Sequence, residues 1–307
     1  MSTPATAYTE KNQAAANSVL AAIGLTSLKI VVGLLTGSLG ILAEAAHSAL
    51  DLVAALMTWF AVRVSGKPPD HDHLYGHGKV ENLSALIETL LLVITCVWVV
   101  YSAANRLIQG KTDIDVTVWS FGVMALSMIV DFSRSRMLYK AAKKHHSQAL
   151  EADALHFSTD IWSSGVVIIG LAGVKLSEIY PALGFLRSSD AVSAIGVAGI
   201  VFFVSGRLGM RTVQALLDAA PKGLNDQIKK TAEGVPGILD CHNVRARYSG
   251  AQLFVDAHVL VDGKQSLDRA HVLTEEVEAA IQHIAPGADV TVHAEPAPAQ
   301  TAPSTMV

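Results

Sequence analysis

The chain has 307 residues, of which 51% are hydrophobic and only 16% charged, with a formal net charge of −4. Soluble domains carry about 25% charged residues, so the deficit points to lipid. No basic patch with interleaved aromatics is present, which argues against a nucleic-acid partner.

Residues 1–13 are polar and precede the first long apolar run without a signal-peptide core, so they read as an N-terminal tail. A membrane helix needs about 20 mostly apolar residues. Six stretches qualify: Ala14–Leu35, Leu39–Val62, Leu83–Ala104, Ile114–Phe132, Ala154–Leu176 and Asp190–Met210. Thr36-Gly37-Ser38 makes the first two a tight hairpin. Six crossings put both termini on one side, and Lys and Arg near the helix ends decide which. The N-terminal side holds eleven (Lys11, Arg63, Lys67, Lys79, Arg134, Arg136, Lys140, Lys143, Lys144, Arg207, Arg211). The other side holds four (Arg106, Lys111, Lys175, Arg187), so both termini are read as cytoplasmic.

Residues 14–211 thus form an all-α membrane domain of six helices, and 212–296 read as an ordinary soluble domain. Asn225–Glu233 is expected to be helical, Ile238–Tyr248 and Gln252–Val261 to be strands joined at Ser249-Gly250, Ser266–Ile284 to be an amphipathic helix and Asp289–His293 a last strand. The order αββαβ suggests a small α+β sandwich of ferredoxin-like, metallochaperone-like type. Residues 297–307, rich in Pro and Ala, read as a disordered tail.

Ionisable side chains inside a membrane helix cost on the order of 3 kcal/mol and persist when paired or functional. Helix two contains Glu44, His47 and Asp51; helix five contains Asp153, His156 and Asp160. In each, His and Asp are spaced i, i+4, one turn apart on one face. One such pair is as readily an interhelical hydrogen bond or a proton relay. Two pairs of identical spacing on separate helices supply two imidazoles and two carboxylates, a four-coordinate shell that Zn²⁺ accepts. Lys29 and Glu44 are expected to pair as counter-ions, Glu44 also being placed to orient the His47 ring, and Asp131 to reach the membrane interface.

The chain has twelve histidines, and those outside helices two and five cluster too. The loop after helix two reads DHDHLYGHGK, with Asp70, His71, Asp72, His73 and His77 in eight positions, which suggests a metal waystation. In the soluble domain His242, His258 and His293 fall on the three expected strands and His271 on the second helix. His145, His146 and His283 are read as surface residues. Cys96 and Cys241 form no CxxC and are read as buried thiols, Cys241 being also a spare ligand candidate beside His242.

Three segments, TGSLGILAEAAHSALD, YGHGKVENLSALIE and ALEADALHFSTDIWSS, together with LLDAAPKG at the entrance to the soluble domain, resemble the cation diffusion facilitator family over about residues 10–296. The resemblance implies a homodimeric metal/proton antiporter, not an enzyme, that exports Zn²⁺ and related ions from the cytoplasm across a bacterial inner membrane. It places the transport site on His47, Asp51, His156 and Asp160, and a loop site on Asp70, His73 and His77. A cytoplasmic binuclear site maps to His242, His258, His271 and His293 with Glu295, where the family's best-known member has Asp. Two His and two Asp imply preference for Zn²⁺, with Cd²⁺, Fe²⁺, Co²⁺, Ni²⁺ and Mn²⁺ as alternative substrates. A metallohydrolase is disfavoured because HExxH is absent and four ligands leave no position for water; a metal sensor that binds without transport is the remaining rival.

Overall fold

A computed structural model describes residues 4–109, 118–179 and 189–297. Residues 298–307 of the expected tail 297–307, the start of helix four at 114–117, and the connections carrying Lys111 and Arg187 lie outside the described residues. Two compact units divide between Val213 and Gln214.

The first unit consists of α1 (Pro4–Thr36), α2 (Leu39–Ser65), α3 (Lys79–Gln109), α4 (Val118–His145), α5 (Gln148–Ile179) and α6 (Ser189–Leu216). Gly37, at φ +65°, makes the two-residue connection that closes the α1–α2 hairpin, and the Ser38 hydroxyl accepts from the Ile41 amide to cap α2. Residues 4–13 were read as a tail, yet they are the first turns of α1. They hold helical form because their polar groups find partners: Lys11 donates to Glu81 on α3, and Glu10 meets Lys144 and His145 on α4.

Four helices are long and apolar enough to cross a membrane by length and composition: α1 over Thr6–Thr36, α2 over Glu44–Ser65, α3 over Lys79–Asn105 and α6 over Ile195–Leu216. The middle of α4 instead holds Asp131, Arg134 and Arg136, and the first half of α5 holds Glu151, Asp153 and Asp160. Leu35, Phe60, Trp98 and Phe203 point outward and are exposed, whereas small residues such as Ala15, Ala149 and Ala154 line the contact of α1, α2, α4 and α5 with Val62, Leu138 and Phe157. Small side chains let helices approach closely where lipid supplies no hydrophobic drive.

The second unit has α7 (Leu224–Glu233), β1 (Asp240–Ser249), β2 (Gln252–Val261), α8 (Leu267–Ile284) and β3 (Asp289–Pro296), which is the expected αββαβ order. β1 pairs antiparallel with β2, and β2 parallel with β3. Leu253, Val255, Ala257, Val259 and Val261 alternate into a core with Ile228, Leu273, Val277 and Ile281 from the helices. The period of two sends His258 to the opposite face of the sheet. β3 runs three residues past its expected end, and this extension carries Glu295.

Candidate metal centre

α2 and α5 bring the two His–Asp pairs together. His156 Nε2 lies 3.2 Å from Asp51 Oδ1 and 3.8 Å from Asp160 Oδ2, and His47 Nε2 lies 3.9 Å from both Asp51 Oδ1 and Asp160 Oδ1. Zinc bonds of about 2.0–2.1 Å in a tetrahedron separate their donor atoms by about 3.3 Å, so these spacings straddle what one ion requires. Asp160 Oδ2 is buried and has no hydrogen-bond partner among the described residues. An orphaned carboxylate oxygen facing the His156 imidazole fits a cation better than it fits a closed hydrogen-bond network.

The surroundings hold this group in place. Lys29 Nζ lies 3.3 Å from Glu44 Oε2 and donates to Ser48 Oγ at 2.7 Å, so the expected counter-ion pair forms, and Glu44 spends its carboxylate there. Phe157 packs edge-on against the His156 ring at 5.4 Å. Asp131 is half-buried and bound to Arg134 Nη1 at 3.2 Å. Arg134 itself is buried over the Phe157 ring, 3.5 Å from its centre, and donates to Ser18. Arg134 and Lys11 are thus buried ion-pair partners.

In the loop, Asp70 Oδ1 accepts from the His73 amide at 2.8 Å and the Asp72 amide at 3.1 Å, and Asp70 Oδ2 lies 3.3 Å from His77 Nε2. The His73 amide, with help from the His73 ring and the Asp72 amide, outweighs desolvation and holds the Asp70 carboxyl below its ordinary range. Asp70, His73 and His77 offer ligand atoms within 4.8 Å of one another. His71 and Asp72 pair with each other at 3.2 Å and are exposed, outside this group.

In the sheet, strand register does the assembling. His242 is the cross-strand partner of His258, and His258 of His293, so three imidazoles form one row across three strands, with ring centres 5.7 and 5.1 Å apart. Glu295 reaches back along β3: Oε1 lies 2.7 Å from His258 Nδ1 and 4.0 Å from His293 Nε2, and Oε2 lies 3.3 Å from His242 Nε2. The hydrogen bond from the His258 ring holds the Glu295 carboxyl below its ordinary range. His242, His258 and Glu295 make a three-ligand group, with His293 at its edge. His271 is not brought to it: on α8, beyond the other face of the sheet, it meets Glu275 at 3.5 Å and is exposed. Cys241 and Cys96 are both buried free thiols, and strand alternation turns Cys241 into the core, away from the histidine row.

Residues 16–217 match the family described as cation efflux transmembrane domain, and residues 220–297 match the cation efflux protein cytoplasmic domain. The chain belongs to the cation diffusion facilitator, or cation efflux, family. As a member of that family it is a membrane transporter of cations and not an enzyme. The cation-efflux pumps FieF of Yersinia pestis (strain Pestoides F) and Yersinia pseudotuberculosis (serotype O:3, strain YPIII) are each 33% identical over 288 residues, which is 91% of this chain and 92% of theirs. Among solved structures, a nickel form of the MamM C-terminal domain is 28% identical and covers 25% of this chain and 100% of its own, with TM-score 0.25. A cadmium form is 28% identical and covers 25% and 98%, with TM-score 0.24.

Three features of this cation efflux protein escaped the sequence reading. Glu88 sits in the apolar run ALIETLLL of α3 and is 1% exposed; Thr58 of α2 donates to it. Glu81 is equally buried and accepts from Lys11, Ser65 and Ser147. His145, read as a surface residue, is buried with Nε2 2.9 Å from Glu10. An acidic residue inside an otherwise lipid-like run is the signal that was available for Glu88.

Proposed function

We propose that this protein exports a divalent transition metal from the cytoplasm in exchange for protons, with Zn²⁺ as the preferred ion and His47, Asp51, His156 and Asp160 as its transport ligands. The observation that carries this reading is the convergence of two i, i+4 His–Asp pairs from α2 and α5 on one volume. Two nitrogens and two oxygens suit Zn²⁺, and divalent Co, Ni, Fe, Mn and Cd compete according to geometry and softness. In this reading all six helices of the first unit span a bacterial inner membrane with both termini cytoplasmic, α4 and α5 tolerating charge because it faces the bundle interior.

The exchange follows from ligand chemistry. Only neutral imidazole and ionised carboxylate bind metal, so protons arriving from the outer side compete for the ligands and release the ion there. Return of the protonated site to the cytoplasmic side allows the next ion to displace those protons. Metal binding to the groups around His73 and Glu295 adjusts this cycle by favouring the conformations that hold the ion. The family's cytoplasmic domain supports a homodimer as the working unit.

The experiment is counterflow in sealed proteoliposomes across a panel of divalent metals, with a pH-sensitive dye trapped inside. Saturable binding without flux would instead identify a sensor.

A further inference from the structure

The α2 positions Asp51, Thr58 and Ser65 are spaced by seven residues, as are the α3 positions Glu81 and Glu88. Seven residues are nearly two full turns, so each set lies on one stripe of its helix, with steps of about 10 Å. The two stripes meet twice: Thr58 donates to Glu88 Oε1, and Ser65 donates to Glu81 Oε1. The two stripes thus run from the His–Asp group at Asp51, by way of the Thr58–Glu88 contact, to the Lys11–Glu81 pair beside Ser147, in separate steps of about 10 Å.

Glu88 is the unusual member. The Lys29 ammonium is matched by Glu44, and the Arg134 guanidinium by Asp131 and, through the Ser18 hydroxyl, by Asp153. No Lys or Arg among the described residues pairs with Glu88. Its hydrogen-bonding neighbours are the hydroxyls of Thr58 and, at 3.5 Å, Ser84, and the ionisable groups that act on it are Asp153 and His156 of α5. Its Oε2 is buried with no hydrogen-bond partner. An unpaired carboxylate in that setting is far costlier than a neutral acid.

We propose that Glu88 is a proton-holding station, separate from the metal ligands, on the path between the His–Asp group and the helix ends at Ser65. It is a carboxylic acid while the Lys11–Glu81 end of the two stripes is closed. When that end admits water, Glu88 gives its proton to water and becomes a carboxylate, and it is recharged by a proton displaced as metal binds. One proton is taken and one given per passage. For transport this rests on the proposed metal/proton exchange; for the protonation state it does not.

The test uses the full chain in lipid nanodiscs and proteoliposomes. Infrared difference spectra at neutral pH should contain the absorption of a protonated, slowly deuterating carboxyl that Glu88→Gln removes and Asp153→Asn leaves. If Glu88→Gln fails to fold, Thr58→Val, which removes only the hydroxyl, should shift the same absorption. With Zn²⁺ as probe, Glu88→Gln should slow proton-coupled zinc flux at least several-fold while leaving the proton-to-zinc ratio as in wild type, because the station passes on a proton that the His–Asp group supplies. An absorption unchanged in these variants, or wild-type rates of proton-coupled zinc flux in a folded Glu88→Gln protein, overturns the proposal. Zinc flux without proton movement in wild type overturns the exchange reading instead, and the infrared result alone then decides whether Glu88 holds a proton.

Discussion

His156 Nε2 on α5 stands 3.2 Å from Asp51 Oδ1 on α2, a contact across 105 residues of chain. Asp51 also faces His47 on its own helix, so this carboxylate is the hinge of the four-residue group. Asp51→Ala should therefore lower Zn²⁺ flux at least about tenfold to a hundredfold, the range seen even for residues that only support metal ligands. Asp160→Ala should do the same. Flux in proteoliposomes, compared with size-exclusion profiles of the purified variants, checks this. Near-normal flux in a folded variant would remove both residues from the transport site.

Lys11 and Glu81 tie α1 to α3 where both side chains are almost fully buried. Removing one partner of a buried ion pair typically costs about 3–5 kcal/mol, because the other charge is left stranded. Glu81→Ala should thus unfold markedly earlier than wild type in a detergent thermal melt. Lys11→Met combined with Glu81→Gln leaves no stranded charge and should recover a large part of that loss. Equal melting of the single and double variants would show that the pair does not bind the helix ends together.

The sequence carries these features unevenly. His47–Asp51 and His156–Asp160 are legible because i, i+4 spacing places both groups of a pair on one helical face, and the αββαβ order is legible from periodicity and the Gly250 turn. Buried partners distant in sequence are not: Lys11 reads as a tail residue and Arg134 only as a charge near a helix end, because Glu81 and Ser18 lie 70 and 116 residues away. His271 is a related case. The family resemblance groups it with His242, His258 and His293, but strand register and sheet face decide which imidazoles meet within one chain.

The sheet group leads to a comparison within the C-terminal unit, which has its own core of buried residues from α7, α8 and all three strands. Glu295 touches His242 and His258, whereas His271 meets Glu275. In calorimetric titration of residues 214–297 with Zn²⁺, Glu295→Ala should weaken binding by at least about tenfold, on the scale of a lost ligand or its support. His271→Ala should leave the first binding event unchanged. Equal losses from the two variants would mean that His271 from a second copy completes the site, and analytical ultracentrifugation of the loaded protein would then show a metal-dependent dimer.

Selectivity is the sharpest test of how the membrane group handles its ion. His47 is the most exposed of the four side chains, and its Nε2 faces Asp51 and Asp160 at equal distances of 3.9 Å. Replacing it by Asp keeps four donors but changes the shell from two nitrogens and two oxygens to one and three. An oxygen-rich shell favours harder or larger ions and loses the imidazole geometry that suits zinc. His47→Asp should still transport, with Mn²⁺ or Cd²⁺ gaining on Zn²⁺ by several-fold in competition, a change of about 1 kcal/mol in relative affinity. His47→Ala leaves three donors and an open position that water fills, so it should lose flux for every ion and not reorder them. Each ion titrated against Zn²⁺ in wild type and both variants separates the two effects. An unchanged ion ranking in His47→Asp would show that the imidazole binds without selecting, and the choice of metal would then rest with Asp51, His156 and Asp160.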